Sequence, residues 1–274
     1  MLHELVEAFN VTLLPRTTAF GYYDHNHLMA LERVTDHLST PPDNLPRQRL
    51  WSIRAKQVVL ATGAIERSLV FRDNDRPGTM LAGAAHDYLQ RFGVKVGTRT
   101  VVFTGNDTAY GTAAALARTG TEVTVLDLRS ETPGALPQAA LQEGIEVLHG
   151  HAVAATHGKK HIEAVDAMSL SEDGLAVSGT ARRVDCDVLL MSGGWSPTVH
   201  LFSQSQGKLA YDPSIGAFIP NTAAQKQRSA GSCNGTFGLA RCLEAGWQAG
   251  MEAAADSGFA ETSGTHPVAD AEEL

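Results

Sequence analysis

Hydrophobic and polar positions change their period several times along the chain, and each change marks an element. Met1 to Asn10 sets Glu4 and Glu7 among apolar residues, which predicts an amphipathic helix. Val11 to Tyr23 (VTLLPRTTAFGYY) and Leu28 to Leu38 (LMALERVTDHL) mix β-branched, aromatic and polar residues and predict two strands of one antiparallel layer. STPPDNLPR, from Ser39 to Arg47, cannot continue a ladder because its prolines donate no hydrogen bond, so it predicts an exposed loop. Trp51 to Ala61 returns as a strand ending in the apolar run Val58, Val59, Leu60 and Ala61. The N-terminal region is thus expected to be a β-meander feeding a buried strand.

Helical spacing takes over from Leu81 to Phe92. Then follow a strand at Thr100–Thr104, an Ala-rich helix at Ala109–Arg118 stopped by Gly120, and a strand at Glu122–Leu126 ending in Asp127. This is a βαβ unit of Rossmann type. A short helix is expected at Pro137–Glu143, a third parallel strand at Ile145–Leu148, a small β-hairpin layer over Val153–Val177 and a buried strand over Val184–Ser192. Ser229 to Ala255 runs from a strand end through AGSCNGTFG into a long helix, and the tail beyond it is expected to be flexible.

With 274 residues, 43% hydrophobic and 19% charged, the chain can bury a sizeable core in one large or two smaller domains. A net charge of -8 with scattered Lys and Arg argues against nucleic acid as a partner. No apolar run reaches the roughly 20 residues of a membrane span, and the N-terminus does not read as a secretion signal. The expectation is a cytoplasmic protein. Cys186, Cys233 and Cys242 are odd in number and widely spaced, as reduced and mostly buried thiols would be. His149, His151, His157 and His161 straddle a strand and a loop with no carboxylate at helical spacing, so no metal site is assigned.

In the βαβ turn, Thr104, Asn106 and Ala109 stand where a dinucleotide fingerprint has its three glycines. Asp107 puts a carboxylate where a phosphate would sit. Of two readings, scaffold and working dinucleotide site, the turn favours scaffold, with Asn106, tolerant of left-handed dihedrals, and Asp107 capping the helix instead of binding phosphate. Asp127 has two readings, a ribose ligand or a solvated strand end beside Arg129.

KQVVLATGA (Lys56–Ala64) and DVLLMSGGWSP (Asp187–Pro197) both put small residues directly after a buried strand, where α/β sheets open their ligand crevices. The order of these segments around the βαβ unit matches an α/β, two-dinucleotide-binding-domain, Rossmann-like, three-layer flavoprotein fold. The expected division is an incomplete first domain from 1–80 and 210–258, an inserted second domain at 95–205 and a tail at 259–274.

TLLPRTTAFGYYDHN (Thr12–Asn26), VVLATGAIERSLVF (Val58–Phe71), VVFTGNDTAYGTA (Val101–Ala113) and SGGWSPTVHLFSQSQGKL (Ser192–Leu209) resemble the alpha subunit of heterotetrameric sarcosine oxidase. The resemblance spans about Met1 to Ala255. It implies a segment of a longer chain whose first, NAD-holding Rossmann turn lies upstream and whose folate-binding domain lies downstream. It further implies a complex with beta, gamma and delta subunits that oxidises sarcosine, uses FAD and FMN mainly with the beta subunit, and passes a one-carbon unit to tetrahydrofolate. This segment's share would be part of the NAD wall: Ala19 at the adenine, Thr62 and Gly63 at a strand end, Ser232 where FAD-binding relatives use an aspartate, and Phe237 and Leu239 opening the last helix. No catalytic residue is assigned. Two other readings stay open, a subunit of an opine or proline dehydrogenase or hydrogen cyanide synthase-like enzyme, and a non-catalytic scaffold subunit.

Overall fold

The computed structural model describes residues 2–259, so the expected tail lies, past Phe259, outside the described residues. The first elements are α1 (Leu2–Glu7), β1 (Thr17–Tyr23), β2 (His27–Arg33), β3 (Gln48–Arg54), β4 (Val58–Leu60), β5 (Ala64–Glu66), β6 (Thr79–Leu81) and α2 (Ala82–Phe92). Next come β7 (Arg99–Thr104), α3 (Thr108–Ala117), β8 (Glu122–Asp127), α4 (Ala135–Gln142) and β9 (Glu146–His149). They are followed by β10 (His151–His157), β11 (Ala164–Leu170), β12 (Val177–Asp185), β13 (Val188–Ser192) and β14 (Trp195–Pro197). The chain continues with α5 (His200–Gln204), β15 (Lys208–Asp212), β16 (Ala217–Thr222), β17 (Gln227–Ser229), a 3-10 turn (Gly231–Asn234) and α6 (Leu239–Asp256). Two compact units result, one from the residues up to Ala64 and from Pro197 on, the other from Ile65–Ser196.

The second unit is built on a five-stranded sheet of order β6-β13-β7-β8-β9, with parallel pairing throughout. Strand alternation sorts its side chains to two faces. Val102, Val125 and Leu190, in register across β7, β8 and β13, face Ala85 of α2, Ala113 and Leu116 of α3 and Ala140 of α4. Val101, Phe103, Leu126 and Leu189 face the other way, onto Val153 of β10 and Val165 and Ala167 of β11. The result is three layers: helices, parallel sheet, and the antiparallel sheet β10-β11-β12.

Three expectations are revised here. The layer after β9 is a three-stranded sheet, because the alternating, largely exposed run at Val177–Asp185 pairs with β11 as well. The strand expected over Val184–Ser192 accordingly divides, and Asp187 at the break turns its carboxylate back to accept the Thr98 and Arg99 amides at 3.0 Å, fixing the start of β13 beside that of β7. Residues 65–80, assigned to the first domain, belong to the second unit, where β6 adds to the edge of β13, while residues 197–205, assigned to the inserted domain, fall in the first unit.

The first unit holds the meander β1-β2-β3, the parallel pair β4-β17, the hairpin β15-β16, and α6. Tyr22, Val58, Leu60 and Phe202 form its buried cluster. A side chain ties the meander to the parallel pair. Asn26, buried in the β1–β2 turn with φ 50°, donates to the carbonyls of Lys56 at 3.2 Å and Lys226 at 3.0 Å, the residues that lead into β4 and β17. Its Oδ1 accepts the Tyr22 hydroxyl at 2.8 Å. Helix α5 and the β15-β16 hairpin have no counterpart in the sequence reading.

Candidate functional site

In the first unit, β4 and β17 run parallel, pairing Val58 with Gln227 and Leu60 with Ser229, so their carboxyl ends open side by side. Carboxyl ends of neighbouring parallel strands are where α/β sheets hold ligands. Beyond β4 the chain turns through Thr62 and Gly63, and beyond β17 through Gly231 and Ser232. Gly63 (φ 75°) and Gly231 (φ 73°) both occupy the left-handed region, where a side chain is disfavoured and backbone can approach a ligand closely. A Cβ on Gly63 would stand 4.0 Å from Ser232 Oγ.

The two turns are held rigidly. The Thr62 hydroxyl donates to the Thr198 carbonyl at 2.7 Å, and the Thr198 amide returns a bond to the Gly63 carbonyl at 2.9 Å. The Ala230 amide and the buried Cys233 thiol both donate to the Leu60 carbonyl, at 2.9 and 3.2 Å. Thr62, Gly63 and Ser232 are thereby brought together. Ala19 is not: it sits exposed on β1, paired with Ala30 in the meander. Phe237 is partly buried in the loop before α6, and Leu239, 54% exposed, begins that helix.

In the second unit the βαβ turn is filled by the chain itself. Asn106 Oδ1 accepts the Thr108 amide at 3.1 Å and its hydroxyl at 2.6 Å, while Asn106 Nδ2 donates to the carbonyl and hydroxyl of Ser192, both at 3.0 Å. Asn106, one residue before the N-cap position Asp107, thus closes the start of α3 with its side chain, though its φ is not positive as that side chain would have tolerated. Asp107 makes no capping bond and instead meets Arg129 Nη1 at 2.7 Å. The local reason is crowding: a Cβ on Gly134 would collide with Asp107 Oδ2, so the 129–134 loop lies directly on this carboxylate.

Asp127 is no solvated strand end. It is fully buried and accepts from the Tyr110 hydroxyl at 2.8 Å, the Arg129 amide at 2.8 Å, Arg129 Nε at 3.0 Å and Nη2 at 2.8 Å. The hydrogen bond to Asp127 holds the Arg129 pKa above its ordinary value. Burial first, then the bond to Asp127, raises that of Tyr110. These four donors occupy the oxygens that a ribose would need. Arg129 stood beside Asp127 in the sequence, but nothing in the residue pattern marked Tyr110, which lies 17 positions away.

His157 pairs with Asp166 at 2.8 Å and His151 lies 3.2 Å from Ser169, and no group of three metal-ligating residues occurs among the described residues. All three cysteines are free, and burial raises the Cys186 thiol to about 12. No helix among the described residues is long and apolar enough to cross a membrane.

A three-layer parallel-sheet unit placed within a chain that also carries open parallel strand ends defines a flavin and pyridine-nucleotide oxidoreductase fold. The chain belongs to the pyridine nucleotide-disulphide oxidoreductase family, whose model matches residues 10–220. It is 45% identical over 259 residues to sarcosine oxidase subunit alpha of Corynebacterium sp. (strain P-1), covering 93% of this chain and 26% of that protein. The same subunit of Rhizobium meliloti (strain 1021) is 38% identical over 246 residues, 89% of this chain and 23% of the relative. The chain therefore spans about a quarter of the length of these curated relatives. Among solved structures, L-proline dehydrogenase from P. horikoshii matches with a TM-score of 0.65 at 22% identity, covering 95% of this chain and 45% of that one. T. acidophilum thioredoxin reductase matches with a TM-score of 0.58 at 18% identity, over 76% of this chain and 67% of that one.

Proposed function

We propose that this chain is the dinucleotide-binding region of a sarcosine oxidase alpha subunit, working in a cytoplasmic complex with beta, gamma and delta subunits. The complex would oxidatively demethylate sarcosine to glycine, release hydrogen peroxide and pass the one-carbon unit to tetrahydrofolate, with FAD and FMN held mainly by the beta subunit. The observation that carries this reading is the 45% identity over 93% of the chain. The proline dehydrogenase likeness, at 22% identity, bears on the fold alone.

Within that reading, the strand ends of the first unit are the NAD wall. The residues fit the group: two left-handed glycines leave room for a pyrophosphate beside the Thr62 and Ser232 hydroxyls. When bound, NAD supplies a nicotinamide and two phosphates; the chain's own part is to orient them with Thr62, Gly63, Ser232 and the backbone ahead of Phe237 and Leu239. The second unit serves as scaffold, its turn already occupied by Asp107, Arg129 and Tyr110.

A chimaera tests the reading. The matching segment of the Corynebacterium alpha subunit is replaced by this chain and co-expressed with its partner subunits, and sarcosine-dependent hydrogen peroxide is measured. Retained activity is expected, with none from the isolated chain. A chimaera that assembles with its partners but oxidises no sarcosine overturns it.

A further inference from the structure

The second unit carries a cleft of about 550 Å³ between α2 and α3 that the proposed function leaves unused. Its wall combines the apolar surface of Leu81 and Ala84 with the Trp195 indole, the His86 imidazole and two carboxylates, Glu66 and Asp87; no Lys or Arg is among the lining residues.

The indole and the inner carboxylate are both fixed in place. Trp195 Nε1 donates to Thr108 Oγ1 at 3.1 Å, and that hydroxyl donates onward to Asn106 Oδ1 at 2.6 Å. Glu66 Oε2 accepts the Gly83 amide at 2.7 Å, closing the N-terminal turn of α2. The two groups converge, for a Cβ on Gly83 would lie 2.9 Å from Glu66 Oε2 and 3.9 Å from Trp195 Cη2. A glycine at 83 keeps this corner open.

The corner disfavours anions. Both carboxylates repel a phosphate, and the Gly83 and Thr108 amides at the starts of α2 and α3 are already taken by Glu66 and Asn106. An aromatic face beside a carboxylate attracts a cation, through the ring quadrupole and a charge-assisted hydrogen bond. We infer that this cleft binds a small organic ammonium ion, its nitrogen against Glu66, its N-methylene group over Trp195, and its alkyl or aryl substituent on Leu81 and Ala84.

The test is calorimetric titration of the 274-residue chain at pH 7.5 with benzylammonium chloride and, separately, its neutral counterpart benzyl alcohol. Saturable binding of the ammonium, about tenfold or more tighter than the alcohol, is expected. Glu66→Gln, which keeps an acceptor for the Gly83 amide, should bring the ammonium down to the affinity of the alcohol. Gly111→Leu should abolish binding with the melting temperature unchanged or raised, since that helical position lines the cleft and a Cβ there meets nothing within 4 Å. It decides the matter should Glu66→Gln fail to fold. Equal binding of the alcohol, no saturation by about 10 mM ammonium, or undiminished binding by folded Gly111→Leu overturns the inference.

Discussion

Asp107 Oδ1 lies 2.7 Å from Arg129 Nη1, and the same guanidinium reaches the buried Asp127 through Nη2 at 2.8 Å. One cation thus joins the carboxylate that stands where a Rossmann turn would hold phosphate to the one at the strand end, where such a fold holds ribose. The two ion pairs are unequal. Asp107 is about a third exposed and Asp127 fully buried, so loss of Arg129 strands a charge without water. Arg129→Ala is expected to destabilise the protein by about 3–5 kcal/mol, and Asp107→Ala by about 1 kcal/mol or less, read from urea denaturation. NAD affinity should survive Asp107→Ala. If that variant lost NAD binding at an unchanged melting temperature, the turn would be a nucleotide site and the scaffold reading would fall.

Capping belongs to Asn106. Asn106→Ala removes the acceptor of the Thr108 amide and hydroxyl and the donor to Ser192. A loss of about 0.5–2 kcal/mol is expected for the cap, and Asn106→Asp, which retains the acceptor, should recover part of it. Equal losses in the two variants would point to the Ser192 bond instead.

Ser232 offers a test of the strand-end site that leaves the fold alone. Its side chain is partly exposed beside Gly63, so Ser232→Leu should fold normally while filling the room that Gly63 and Gly231 leave for the proposed pyrophosphate. At least about a tenfold loss of NAD affinity, or roughly 1.4 kcal/mol, is expected from the blocked approach. Unchanged affinity in titrations of the variant would remove Ser232 from the site.

Tyr22 predicts an alkaline limb. Its burial raises the phenol to about 12, against about 10 in an unfolded chain. Its stabilising contribution is complete below the unfolded value and is lost as pH rises toward 12, because only the unfolded chain then releases the proton. The loss attributable to it is about 2–3 kcal/mol. Tyr22→Phe also deprives Asn26 Oδ1 of its donor, costing about 1–3 kcal/mol at neutral pH, but should flatten the decline between pH 10 and 12. Denaturation curves that decline in parallel for both proteins would refute the assignment.

Local pattern in the sequence determined the meander, the βαβ unit, the long last helix and the small residues after buried strands, because period, turn residues and strand–glycine junctions act over a few neighbouring positions. It also placed Thr62, Gly63 and Ser232 at strand ends. Tertiary structure alone decided that β6 adds to the edge of β13, that Val177–Asp185 becomes a strand by pairing with β11, and that Asn26 bridges Lys56 and Lys226, 30 and 200 positions away. The fate of Asp127 was decided in the same way. Ribose ligand and strand end look alike in sequence, and only the folding of α3 onto β8 brings Tyr110 against the carboxylate that Arg129 has already claimed. Pairings of that kind depend on which surfaces meet after the chain has collapsed, and no local period records them.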